Sequence, residues 1–348
     1  MIEPQIATGA EIDAAAGTAG GLEIGLNAAI VAVVDEEPAI LTIGRGEGRD
    51  RDGADALPFG PFDPLRHRTL ELGLRAWVQA QTALHLGHVE QLYTFGDRGR
   101  LARPGDTGPH VVSVGYLALT RIEGAGGGGA SRSALAATGA DFRPWYDYFP
   151  WEDWREGRPS VLDEAILPAM RAWRAEAPDQ RDLGRALGRA ERMRLFFGED
   201  GSPWDEEKVL ERYETLYEAG LVAEARRDGR PCRGHEGPAL GRAMSFDHRR
   251  ILATAISRLR AKLKYRPVVF ELMPESFTLT ELQKTVEAIS GRHLHKQNFR
   301  RLVETAALVE ATGETSLVTG GRPASLYRFR RDVLRERPAP GFRLGSRG

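Results

Sequence analysis

Between Phe277 and Phe329 the hydrophobic period is helical twice and then alternating, and this order of elements limits what that part of the chain can become. Phe277-Thr278-Leu279-Thr280-Glu281-Leu282-Gln283 contains two overlapping capping boxes, Thr278 with Glu281 and Thr280 with Gln283. Each can satisfy amides that a helix start leaves without an internal partner. The helix that follows carries Leu282, Val286 and Ile289 on one face and ends at Gly291. After a short turn through Leu294, a second helix is predicted over about Lys296 to Thr305. Its inner face is Phe299, Leu302, Val303 and Ala306, which leaves Lys296, Gln297, Arg300 and Arg301 outward. Leu308-Val309-Glu310 and Ser316-Leu317-Val318 then read as one side of a hairpin and Ala324 to Phe329 as the other. Thr319-Gly320-Gly321-Arg322-Pro323 lies between them.

Two short helices, the second with bases on its solvent side, meet the requirements of major-groove docking. The helix fits the groove, Arg or Gln reaches guanine or adenine edges, and Lys covers phosphate. Arg322 at a glycine-rich tip would enter a minor groove or meet phosphate. The formal net charge of -1 says nothing about nucleic acid, but from Arg292 to Arg330 there are seven Arg or Lys against three Glu. Residues 267–332 are therefore predicted to be a winged helix-turn-helix that binds double-stranded DNA, with Thr280, Lys296, Gln297, Arg300, Arg301 and Arg322 at the interface. A solvated basic helix, or a winged module that binds protein, would share the helix-pair pattern.

With 348 residues the chain is long enough for two or three units. Residues 1–20, rich in Ala, Gly and acid, read as a disordered lead-in. Over 21–245 a mixed α/β unit is predicted. Its parts are two strands between Leu22 and Ile43 around Asp35-Glu36-Glu37-Pro38, a helix over Leu65 to Leu84, and strands at Val89–Phe95 and Val111–Leu119. The Gly-rich stretch from Glu123 through Gly139 reads as a low-complexity loop outside the core. The cluster Trp145, Tyr146, Tyr148, Phe149, Trp151 and Trp154 reads first as core, with base or nicotinamide stacking as the alternative. Polar helices are expected over 160–197, and Ser202-Pro203-Trp204-Asp205 has the chemistry of a helix start. Asp247 is expected to cap a linker helix over 246–266, whose stripe Ile251, Leu252, Ala255, Ile256, Leu259 and Leu263 could serve its own domain, the domain junction or a dimer. Residues 333–348 read as a flexible tail. The single cysteine, Cys232, excludes an intrachain disulfide and points to a reducing cytoplasm. No apolar run is long enough to cross a bilayer.

Phe277-Thr-Leu-Thr-Glu-Leu-Gln, Gly291-Arg, Asn298-Phe-Arg-Arg, Gly321-Arg-Pro-Ala and Leu326-Tyr-Arg-Phe together resemble the Nudix-related transcriptional regulators of NAD biosynthesis and related pathways. The Asp247-to-Pro267 segment is similar to that family's linker, and Tyr116-Leu117-Ala118-Leu119 to its central strand. Residues 123–200 as a whole, Gly-rich and then helical, look like an insertion relative to that family. The resemblance implies an α+β architecture: an N-terminal Nudix-like domain followed by a C-terminal winged helix. It also implies a homodimeric repressor of operator DNA whose Nudix-like domain senses ADP-ribose or a related nucleotide and then releases the DNA.

A working Nudix enzyme needs several glutamates on one helix to hold divalent metals against a pyrophosphate. The matching stretch here, Arg75 to Leu84, has no acid; Gln79 and Gln81 keep polarity without charge. No catalytic residue, metal or cofactor is therefore expected. An effector cavity would take Arg45, Arg49, Arg51 and Phe59. The rival reading is a hydrolase that recruits Glu71 and Glu90. His67, His85, His88 and Cys232 have no partner spacing that builds a site.

Overall fold

A computed structural model describes residues 21–43, 54–97, 110–122, 131–176, 186–230, 239–316, 323–336 and 341–342. The N-terminal part is built on a sheet ordered β4-β5-β1-β2-β6, with β3 also paired to β1. Its strands are β1 (Leu22–Val34), β2 (Glu37–Ile43), β3 (Phe59–Pro61), β4 (Val89–Phe95), β5 (His110–Leu119) and β6 (Ala140–Pro144). β1 runs parallel to β5, with Leu22 opposite His110 and Val31 opposite Leu119. Its C-terminal half turns back on β2 through Asp35 and Glu36, whose φ values of 50° and 68° give a hairpin turn matching the strand twist.

The middle of β1 is buried on both sides, as a near-continuous apolar run requires. Leu26, Ala28 and Ile30 pack with Leu74 and Val78 of α1 (Leu70–Thr82), while Ala29 and Val31 face the second core. That second core contains the apolar stripe of α7 (His248–Leu263), so α1 and α7 enclose the sheet from opposite faces. The α7 stripe is thus spent inside the chain and is not left for a partner.

Several expectations are corrected. α1 begins at Leu70 and not Leu65, because Asp63 accepts the amides of Leu65, Arg66 and His67 in a turn, and Thr69 is the cap that accepts from Leu72. Residues 140–144, read within an insertion, form the edge strand β6 beside β2, and its terminal Pro144 suits an edge. The helical region behind it consists of a π-helical turn at Leu162–Ile166, α3 (Leu167–Ala175) and α4 (Arg189–Phe197), after the short α2 (Arg132–Ala137). It is not merely polar: Leu162, Ile166, Met170, Trp173, Met193 and Phe197 are buried. Ser202-Pro203 does not start a helix. Trp204 instead lies under Arg212 and against Trp154, and α5 (Val209–Glu218) begins four residues after Asp205. A short α6 (Ala223–Arg227) follows. Asp247 occupies the cap position of α7, but its carboxylate pairs with Arg250 at 3.2 Å and does not cap. Of the aromatic cluster, Trp145, Tyr146, Tyr148, Phe149 and Trp151 are buried core and Trp154 is half-buried.

The C-terminal part consists of α8 (Leu279–Ser290), α9 (Lys296–Ala306), β7 (Val309–Ser316), β8 (Ala324–Phe329) and the short α10 (Val333–Glu336). The tail reading fails at Phe342, which is fully buried. Its neighbours Arg343 to Gly348, and residues 1–20 and 123–130, lie outside the described residues. Among the described residues, no helix is long and apolar enough to cross a membrane.

Candidate nucleic-acid interface

α8 starts with a complete capping box. Glu281 accepts the Thr278 amide at 2.7 Å, and Thr278 Oγ1 accepts the Glu281 amide at 3.2 Å. The second expected box does not form, because Gln283 turns the other way: its Nε2 donates to the Leu294 carbonyl at 2.7 Å and to Glu287 Oε1 at 3.0 Å. Glu287 Oε1 also accepts the Leu294 amide at 2.7 Å. Gln283 and Glu287 thereby fix the turn between the two helices, a role missed in the sequence, where Gln283 was assigned to a cap. α8 ends at Gly291 with φ 67°, where a Cβ would collide with the Glu152 carbonyl, Arg260 and Tyr146.

The turn aims α9. Phe299 and Val303 are buried, Leu302 and Ala306 are half-buried, and Lys296, Gln297, Arg300 and Arg301 are all exposed. At about 100° per residue Gln297 and Arg301 lie opposite Phe299, Arg300 lies on its flank, and Lys296 sits at the exposed first turn on the side nearer Val303. None of the four side chains forms a hydrogen bond or ion pair with another described residue, so their side-chain donors are uncommitted. Asn298, part of the family-like string but not among the expected interface residues, is exposed beside them, and Thr280 is exposed at the start of α8. β7 and β8 pair antiparallel with an irregularity between Ala311 and Thr315, and Phe277 exchanges both backbone hydrogen bonds with Tyr327, at 2.9 and 2.8 Å. This single bridge ties the wing to the residue just before the cap of α8. Arg322, the residue expected at the hairpin tip, lies outside the described residues.

The winged unit is bonded to the rest of the chain at buried atoms. Glu152 accepts from Arg212 Nε at 2.6 Å and Nη2 at 2.8 Å, and from Arg260 Nη1 at 2.8 Å, with all three side chains essentially inaccessible. Arg260 Nε donates to the Ile289 carbonyl at 2.9 Å, Tyr146 OH to Ala288 at 2.7 Å, and the Trp154 amide to Gly291 at 2.8 Å. Lys284 pairs with Glu36 at the β1–β2 turn at 2.5 Å.

Of the candidate effector residues, Arg45, Arg49 and Arg51 lie outside the described residues. Phe59 is half-buried, with its ring edge-on to His248 at 5.0 Å and Phe246 at 5.8 Å. Gln81 clamps the same residue, accepting the Phe59 amide at 3.1 Å and donating to its carbonyl at 2.7 Å. His248 Nδ1 accepts the Leu57 amide at 3.1 Å, and burial, aided by Arg227, pushes its pKa down to about 3. Glu71 pairs with Arg75 at 2.8 Å on the α1 face, close enough to Tyr116 to add to the upward shift that burial gives that phenol. Glu90 sits opposite Leu117 and pairs with Lys262 of α7, so the two glutamates lie on opposite faces of the sheet. Among the described residues, no group of three or more His, Cys, Asp or Glu is placed to hold a metal.

Comparison with known proteins follows this division. Residues 269–329 match the family of NrtR DNA-binding winged helix domains. The "ADPR responsive transcriptional repressor NtrR" of Acinetobacter baylyi is 45% identical over 91 residues, which are 26% of this chain and 36% of that protein. The match therefore spans only about a third of the curated relative's length. Two solved structures extend over most of the chain. Shewanella oneidensis NrtR complexed with a 27mer DNA is 20% identical with a TM-score of 0.51, covering 89% of this chain and 94% of that one. A MutT/nudix family protein from Enterococcus faecalis is 17% identical with a TM-score of 0.50, covering 93% and 94%. At such identities these two establish the fold. Residues 269–329 thus match the NrtR DNA-binding winged helix family, and the chain as a whole shares the fold of these two solved structures.

Proposed function

We propose that this chain is a ligand-responsive transcriptional repressor that binds duplex DNA through α9, and whose Nudix-like domain binds ADP-ribose or a related NAD-derived nucleotide without hydrolysing it. One observation carries the reading: Lys296, Gln297, Arg300 and Arg301 stand exposed and uncommitted on a short helix whose other face is anchored in the core. Arg301 and Gln297 are the base readers, Lys296 and Arg300 the flanking contacts, and Thr280 and Arg322 complete the interface from the first helix and the wing. The A. baylyi relative, named as an ADP-ribose responsive repressor, supports the effector class.

In this reading Phe59, with Arg45, Arg49 and Arg51, binds the nucleotide. Phe59 rests on His248, the first residue of α7, and Arg260 near the other end of α7 holds the Ile289 carbonyl of α8. α7, about 24 Å long at 1.5 Å per residue, is the element through which effector binding changes the spacing of two winged helices in a cytoplasmic homodimer. The absence of hydrolysis follows from the acids: Glu71 and Glu90 cannot share one metal across the sheet, and Gln81 needs its amide, donor and acceptor together, to clamp Phe59.

The test is selection of bound duplexes from a random pool, followed by rebinding of the winners with ADP-ribose, NAD or nicotinamide mononucleotide present. A shared sequence that one nucleotide displaces supports the proposal. Failure to enrich any duplex contradicts it.

A further inference from the structure

The recognition helix has little beneath it. Only Phe299 and Val303 of its 11 residues are fully buried, and a helix of that length has marginal stability on its own. Beyond the Gln283–Glu287 turn at its start, its position depends on what Phe299 rests on. The Phe342 ring lies 5.9 Å from that of Phe299, stacked at 24°, and 6.3 Å from Phe270. Phe270 in turn stacks on Phe329 of β8 at 4.4 Å. Phe342, which is fully buried, thus fills the junction of the recognition helix, the wing and the 268–271 turn.

The backbone beside it is fixed as well. The Phe342 amide donates to the carbonyl of Leu263, the last residue of α7, at 2.8 Å, satisfying one of the acceptors that a helix end leaves open. A Cβ on Gly341 would collide with the backbone of Lys264 and Tyr265, so only glycine lets the two chain segments lie this close. One dipeptide joins the end of the linker helix to the underside of the recognition helix.

We propose that Gly341-Phe342 is an intramolecular strap. It docks in a site formed by Phe270, Phe299 and the Leu263 carbonyl, and it sets the position of the recognition helix on α7. Two residues near the C-terminus, with the Phe342 ring fully buried, then control how well α9 is presented. The DNA arm of the test rests on the proposed regulator function; the exchange arm does not.

The experiment compares the full chain with one ending at Pro340, with Gly341→Val, and with Phe342→Leu. Amide hydrogen exchange is read in the absence of DNA, and duplex affinity is read on a selected site. Truncation and Gly341→Val are expected to speed exchange of residues 299–306 by about 10-fold or more while residues 114–119 of β5 stay protected. Both should weaken duplex binding by about 10-fold, and Phe342→Leu should keep most of both properties. Unchanged exchange in α9, an equal rise in β5, or equal duplex affinity for all four proteins would overturn the strap. If no protein binds duplex while α9 loosens as described, the regulator reading fails and the strap stands.

Discussion

Two buried groups test the structure one residue at a time. Glu152 is the common acceptor for Arg212 and Arg260, with both guanidiniums out of solvent. Glu152→Gln would leave two buried cations facing a neutral amide, an expected loss of about 3–5 kcal/mol in urea unfolding. A loss below ~1 kcal/mol would show that the triad is not buried as described. His248 gives a pH signature. An unfolded chain takes up its proton below pH 6.5, whereas the folded chain holds the ring neutral until about pH 3. Its contribution to stability is complete above pH 6.5 and is lost as pH falls through that interval. From pH 7 to pH 5 the wild type should lose about 2 kcal/mol more than His248→Gln, measured by denaturant midpoints at the two pH values.

At the level of elements, what could be read in advance was what local periodicity encodes. The strands β1, β2, β4 and β5, the two faces of α9, and the Thr278–Glu281 box all follow from neighbours in sequence. What escaped depended on distant partners. Ser202-Pro203-Trp204 has every local mark of a helix start, but Trp204 is held by Arg212 and Trp154. Gln283 looked like a cap residue because its true acceptor, the Leu294 carbonyl, is 11 residues away. Phe342 looked like tail because its burial is created by Phe299 and Phe270. The Arg45, Arg49, Arg51 and Arg322 assignments fall outside the described residues and stand as proposals. Two outcomes are expected at this scale. Thr278→Ala should cost about 0.5–2 kcal/mol of stability through loss of the box. The wild-type chain should not hydrolyse ADP-ribose with Mg²⁺ or Mn²⁺, because the acids that could hold the metal are divided between sheet faces. Turnover abolished by Glu71→Gln would reverse that conclusion.

Across the whole molecule, a single apolar cluster runs from the sheet through the 145–225 region and α7 to Phe299 and Val303. Domains joined by small polar contacts move freely, but a shared apolar interior resists this. The winged helix is therefore mounted on the N-terminal part, and in the proposed function an effector would act by shifting α7 or the spacing of two copies. Binding linkage then requires reciprocity: if a nucleotide weakens duplex binding, duplex must weaken nucleotide binding by the same factor. Calorimetry of ADP-ribose with and without saturating duplex should show that equality, and equal affinities in the two states would remove the regulatory role.

The central claim concerns the outward face of α9, and it is tested most directly by titrating a selected duplex with the wild-type chain and its Gln297→Ala and Arg301→Ala variants. Each substitution is required to cost about 1–3 kcal/mol of binding and to relax base preference at one position of the site. Unchanged affinity and unchanged preference in both variants would contradict the account.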